Sequence, residues 1–218
     1  MSPFVLHFIP GSPFGRAALI ALEEKGAPWR LERLKPGDHR QEPYVSRHPF
    51  ARMPALEHDG FALYETQAIL RYVDRVAPGL ALTPSDPRAA ARMDQLMNIN
   101  DWYLFQGVNN VIGFERLIKP ALMGQEADLA AIEAAMPKGH KVVAELSRLL
   151  AQQPYFAGEA LSLADVLLAP QLDMLAKTPE WAVLAEGHGN LDAWLQRIQA
   201  RPSLTGTTWD KLTLSAAA

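Results

Sequence analysis

The chain contains no cysteine. That absence removes disulfides, thiolate metal sites, cysteine nucleophiles and any CxxC redox pair together. Sulfur chemistry here would have to use a thiol that arrives with a substrate. An excess of basic charge is missing too. Its 218 residues carry 21 Lys and Arg against 24 Asp and Glu, a formal net charge of −3. Neutralising phosphate needs a basic surface, so no nucleic-acid partner is expected. No stretch approaches the roughly 20 consecutive apolar residues of a membrane span, and the start lacks the basic flank and long apolar region of a signal peptide. The expectation is a soluble, cytoplasmic protein with no membrane partner. The sequence also has no P-loop and no GxGxxG, and its six histidines (7, 39, 48, 58, 140 and 188) show no HExxH spacing. Neither a nucleotide site nor a metal is expected.

What is present is an ordinary globular composition, 49% hydrophobic and 21% charged, long enough for one large domain or two small ones. The first part alternates strand-like and helix-like stretches. Phe4 to Ile9 is a short apolar run. From residue 13 to 25, Phe14, Ala17, Ala18, Ala21 and Leu22 follow helical spacing, with Gly26 as the stop. Trp29 to Leu34 alternates like a strand, and the polar segment after it has room for one short helix. Pro54 to Glu57 and Phe61 to Tyr64 read as a hairpin around His58-Asp59-Gly60. Ile69, Tyr72, Val73 and Val76 mark an amphipathic helix. The order βαβ–(α)–ββα predicts a mixed sheet of about four strands covered by helices, spanning residues 1–78.

Residues 79–86 carry prolines and read as a linker, with Asp86 as N-cap and Pro87 in the first helical turn. From 87 to 218 only helices are expected. Met93, Leu96, Met97, Asn100, Leu104, Val108 and Val111 form one stripe, and residues 125–151 supply a second long helix. Ser162 to Asp165 reads as a capping box, with Leu161 and Val166 as its hydrophobic staple. Leu191, Trp194, Leu195 and Ile198 mark a further helix ended by Pro202.

Four stretches carry candidate chemistry. Ser12 lies just past the first strand and caps the following helix, with Pro13 at the first helical position. The free N–H groups and about half a positive charge at that helix end suit an anion, a thiolate among them. Ser12 is therefore either a cap alone or a cap that also donates to a bound anion. Arg52-Met53-Pro54 enters a strand, where a proline opens the strand or forms a cis bond that leaves a backbone edge free for an extended peptide. Glu65-Thr66 opens the next helix, either as a capping pair or as a site where the ammonium and carboxylate of an amino acid meet Glu65 and the free N–H groups. His39-Arg40 sits in a polar loop that solvent alone would explain.

In their order, SPFGRAALIALEEKG, DHRQEPYVSRHPF, RMPAL, ETQAILRYV and SLAD resemble the motifs of the soluble glutathione transferases, of the serine type and bacterial or phi-like. The resemblance covers nearly the whole chain. It implies a thioredoxin-like N-terminal domain, an all-α C-terminal domain, glutathione as co-substrate and a homodimer. By the same resemblance, Ser12 hydrogen-bonds the glutathione sulfur. Met53 pairs with the cysteinyl part before a cis Pro54, and Glu65 and Thr66 hold the γ-glutamyl group. His39 and Arg40 meet the glycine carboxylate. Arg52 stands where many relatives have glutamine and would add a cation there, and Thr66 replaces a serine. No tyrosine lies near Ser12, against the tyrosine-type classes. A small electrophile is expected in an apolar cleft between the domains, with Phe14, Asn100, Asp101 and Tyr103 as weaker candidates. Glutathione-dependent isomerase, dehalogenase or peroxidase activity on the same scaffold, or a non-catalytic binding module, are the alternatives.

Overall fold

A computed structural model describes residues 1–214. The described residues fall into two compact units, residues 1–83 with those from Arg201 onward, and Pro84–Ala200.

The first unit is built on a four-stranded mixed sheet. β1 (Phe4–Phe8) pairs parallel with β2 (Trp29–Arg33) and antiparallel with β3 (Ala55–His58), which pairs antiparallel with β4 (Phe61–Tyr64). The strand order is β2-β1-β3-β4. Alternation along β1 sends Phe4, Leu6 and Phe8 into the core, all fully buried. Phe4 stacks on His58 and meets Tyr72 edge-on, while Phe8 lies against Gly15, so this face looks onto helices α1 (Pro13–Glu24) and α2 (Thr66–Val76). Burying each of these large side chains contributes about 1.5–3 kcal/mol. The intervening His7 turns to the opposite face, its Nε2 3.4 Å from Glu57 Oε1. Asp59 and Gly60 close the β3–β4 hairpin, both at positive φ (49° and 77°), as a two-residue turn of the I′ kind needs. Strand and helix limits fall within a residue or so of the sequence reading; the third strand starts at Ala55, after Pro54, which has no N–H for the ladder. The expected short helix between β2 and β3 is a single 3₁₀ turn, Asp38–Arg40.

The end of the chain departs from the expected boundary. The sequence reading assigned 87–218 to the helical domain, yet the described residues 201–214 pack with the first unit. Arg201 Nε and Nη2 reach Glu24 at 2.7 and 2.6 Å, Arg16 donates to the Leu204 carbonyl at 3.0 Å, and Arg33 donates to the carbonyls of Leu212 and Thr213. These bonds fix α9 (Pro202–Gly206) and α10 (Trp209–Leu214) to that unit. Polar side chains on α1 and β2 decide this return, and periodicity does not register them. At the other end of the unit, Lys25 and Asp74, both buried, pair at 3.2 Å, and Asp74 accepts from the N–H groups of Leu82 and Thr83. Lys25 also donates to the Leu80 carbonyl, so the first part of the expected linker is fixed here.

The second unit is helical among the described residues: α3 (Pro87–Ile99), α4 (Lys119–Met123), α5 (Leu129–Leu150), α6 (Leu163–Leu175), α7 (Glu180–Leu184) and α8 (Gly189–Gln199). Asp86 caps α3 by accepting from Ala89 N at 2.8 Å, with Pro87 opening it. The stripe that begins on α3 stays buried through Asn100, Leu104 and Val108, but the helix does not run straight through it. Residues 100–109 wind as a π-helix broken at Gln106 and Gly107, whose φ is 82°. Nearly every residue of α6 is buried, which makes it the centre of this unit. Its capping box is complete. Buried Asp165 accepts from Ser162 N and Oγ, from Phe156 N and from Trp194 Nε1, all at 2.7–2.9 Å.

Candidate active site

Ser12 ends the loop after β1 and is the N-cap of α1. Its φ and ψ (−69°, 117°) are extended, and its Oγ accepts from Gly15 N at 3.2 Å. Accepting that bond leaves the hydroxyl hydrogen without an acceptor among the described residues. The side chain is half-buried, at the positive end of a 12-residue helix. Gly15 permits this placement. A Cβ there would lie 2.3 Å from the ring of Phe8, so the first turn of α1 presses directly on β1. Gly11, at φ 101°, has the ring of Trp209 against it, a neighbour from the far end of the chain that no local motif announces.

The cap of α2 is built differently. Glu65 sits at φ 70°, ψ 115°, in a region few non-glycine residues enter, and makes no side-chain bond to its helix. Strain of this kind costs on the order of 1–3 kcal/mol and persists where the surroundings enforce it. Ser12, Asp86 and Asp128 each accept from the third helical N–H of their helices, whereas the exposed Glu65 makes no side-chain bond of this kind to α2. The reading of Glu65-Thr66 as a capping pair therefore fails at Glu65. Thr66 is buried directly behind it.

Between these helix ends lies the turn entering β3. Met53–Pro54 is a cis peptide, Pro54 is buried, Arg52 is exposed and Ala51 takes φ 51°. Tyr44, 3% exposed, donates its hydroxyl to the Arg52 carbonyl at 2.7 Å. His39 and Arg40 stand on the 3₁₀ turn, His39 half-buried and Arg40 exposed. Burial lowers the His39 pKa, and the charges of Arg40 and Arg52 lower it further against Asp38, so His39 is the neutral member of a group whose cations are the two arginines. His48 is 2% exposed and held below its ordinary pKa by burial, although Glu65 works the other way; Arg52 adds to the lowering. Both Glu65 and Arg52 thus act electrostatically on one buried ring. The structure brings His39, Arg40, Arg52, Met53, Pro54, Glu65 and Thr66 into the first unit together with Ser12. Sequence reasoning missed Tyr44 and His48. Their spacing of four in YVSRH was the available signal, and it lies in a segment without helical periodicity around it.

The weaker candidates divide between the units. Phe14, half-buried, follows Ser12 in the first. In the second, Asn100 is fully buried and donates to Asp101 Oδ1 at 2.9 Å, while Tyr103 is 56% exposed. Among the described residues no cluster of histidine and carboxylates has metal-binding geometry, and no helix is long and apolar enough to cross a membrane.

Comparison with known proteins agrees with this architecture. Residues 6–81 match the family model of the glutathione S-transferase N-terminal domain, and residues 112–202 that of its C-terminal domain. Glutathione S-transferase hmp2 of Hypomyces subiculosus is 32% identical over 203 residues, which cover 91% of this chain and 92% of that protein. Among solved structures, glutathione transferase F7 from Populus trichocarpa superposes with a TM-score of 0.83 at 26% identity, covering 94% of this chain and 97% of that one. Glutathione S-transferase I from mais, solved in complex with an atrazine–glutathione conjugate, gives 0.83 at 26% identity over 98% of this chain and 100% of that one. The chain belongs to the glutathione S-transferase family, with a thioredoxin-like N-terminal domain and a helical C-terminal domain.

Proposed function

We propose that this protein is a glutathione transferase of the serine type, phi-like in its glutathione contacts, which joins the glutathione thiolate to small hydrophobic electrophiles. The observation that carries the reading is Ser12, a half-buried hydroxyl at a helix N-terminus whose oxygen accepts a bond and whose hydrogen has no acceptor among the described residues. A free thiol ionises near pH 8.5 and is only a few per cent thiolate at neutral pH. Lowering that pKa by about two units requires roughly 2.7 kcal/mol of preference for the anion. A charge-assisted hydrogen bond from Ser12 together with the positive end of α1 has the capacity to supply it. Ser12 acts as a donor, neither nucleophile nor base. The thiolate attacks the electrophile, the carbon–sulfur bond forms, and the displaced group leaves with its electron pair. A protein without cysteine thereby runs thiol chemistry on a borrowed sulfur.

The other roles follow the same reading. The main chain of Met53 pairs with the cysteinyl part of the tripeptide. The start of α2, to which the Glu65 side chain makes no capping bond, takes the γ-glutamyl carboxylate and Glu65 its ammonium, which gives the strained Glu65 backbone a use. Arg40 and Arg52, with the neutral His39 as a hydrogen-bonding partner, meet the glycine carboxylate. Phe14, Asn100, Asp101 and Tyr103 remain proposals for the electrophile site. The homodimer, the cytoplasmic location and the domain limits of 1–78 and 87–218 with a linker at 79–86 belong to the same proposal, amended by the return of residues from Arg201. Retention on immobilised glutathione, release by free glutathione, and conjugation of an aryl halide that requires both substrates test it. A protein that passes through the column and leaves the halide untouched contradicts it.

A further inference from the structure

The turn that carries Arg52 and Met53 rests on a cluster of rings. Tyr44 stacks near His48 (centroids 6.4 Å, planes 27° apart), His48 lies 4.7 Å from Tyr64, and Phe50 meets both His48 and Tyr64 edge-on at 6.4 and 6.1 Å. Tyr64 is the residue before Glu65. One end of the cluster therefore bonds the chain just before Met53, through the Tyr44 hydroxyl, and the other end is continuous with the start of α2.

We propose that Tyr44 is a positioning residue for glutathione, acting through the Arg52 carbonyl on the main-chain N–H of Met53. This rests on the reading that Met53 pairs with the cysteinyl part of the tripeptide. The Arg52 carbonyl and the Met53 N–H belong to one peptide group, and that group is planar. Holding the oxygen at 2.7 Å fixes the direction in which the N–H points. A carbonyl that accepts a strong bond also polarises its own N–H into a better donor. The arrangement is durable: Tyr44 is 3% exposed, and burial raises its pKa against the nearby Arg47 charge, so the hydroxyl keeps its proton throughout the working range. His48 contributes by packing, since its Nδ1 is buried with no hydrogen-bond partner among the described residues.

Steady-state kinetics of Tyr44→Phe test the proposal, because this variant keeps the ring and removes only the hydroxyl. The KM for glutathione rises about three- to tenfold, while kcat at saturating glutathione and the KM for the electrophile stay as in the unmodified protein. Phe50→Leu, which trims the exposed edge of the same ring cluster and leaves Tyr44 in place, leaves the glutathione KM unchanged. A Tyr44→Phe protein with unaltered glutathione KM overturns the proposal. So does a loss confined to kcat, or an equal rise in Phe50→Leu, either of which makes the cluster a general structural support. If the unmodified protein itself fails to bind glutathione in a calorimeter, the parent reading falls and takes this one with it. Binding by the unmodified protein with no defect in Tyr44→Phe removes this proposal alone.

Discussion

On the proposed function, Ser12 carries two jobs that separate by substitution. As an N-cap it contributes about 1 kcal/mol, a loss seen on change to alanine but reduced to a few tenths on change to glycine. As a donor to sulfur it loses the same hydrogen in both variants. Ser12→Ala and Ser12→Gly are therefore expected to lose conjugation rate alike, roughly 10- to 30-fold at pH 7, while only the alanine variant unfolds noticeably earlier. Both should retain glutathione, whose affinity the proposed function assigns to other residues. Rates that track stability would assign Ser12 to the fold instead. Gly15 makes the complementary case. An added methyl would stand 2.3 Å from the fully buried Phe8 ring, and neither α1 nor β1 has room to give. Gly15→Ala is expected to cost about 1–3 kcal/mol in chemical denaturation; an unchanged midpoint would show that α1 is free to shift. At this scale the sequence displayed the cap, from the Ser-Pro pair, but not the close approach, because Gly15 reads as an ordinary weak helix residue until Phe8 is seen beside it.

Among elements, α6 begins at a buried cap centred on Asp165. Burial pushes the Asp165 pKa up while four donors oppose it, so the carboxylate is held by its hydrogen bonds alone. Asp165→Ala leaves the N–H groups of Phe156, Ser162 and Trp194 buried without an acceptor. We expect a loss of about 3–5 kcal/mol, read as a fall in the urea midpoint; a fall below 1 kcal/mol would contradict that arrangement. The capping box was legible because all its parts lie within four residues. The docking of α9 on α1 was not. It depends on Glu24, whose burial raises its pKa but whose bonds to Arg201 and Ser203 outweigh that and hold it below its ordinary 4.5. Partners 177 residues apart leave no local pattern. The break at Gln106–Gly107 went unread for a related reason: the apolar stripe continues through it with its spacing intact.

For the whole molecule, composition and motif order were the informative features. Zero cysteines forced any thiol chemistry onto a substrate, and alternating elements followed by helices gave the two-part architecture. Acid stability follows from the same set of buried groups. Burial lowers the pKa of His7, His39 and His48, so the unfolded chain takes up protons at these sites more readily than the folded one. Their contribution is complete above the ordinary histidine value of 6.5 and is lost as pH falls through the lowered folded values. Glu24, Glu57 and Asp74, all held low, lose theirs only as pH drops below the carboxylate range. Thermal midpoints should begin to fall below about pH 6.5 and fall faster below about pH 4. A flat profile from pH 7 to 5 would mean that these histidines charge freely in the folded protein.

The central claim is that Ser12 and the end of α1 hold a sulfur anion that this chain lacks. Its most direct measurement is the ultraviolet titration of the thiolate of bound glutathione in the unmodified protein and in Ser12→Gly. We expect an apparent thiol pKa about two units below the free value of about 8.5 in the first, and a return toward 8.5 in the second. The same titration curve in both proteins would contradict the claim.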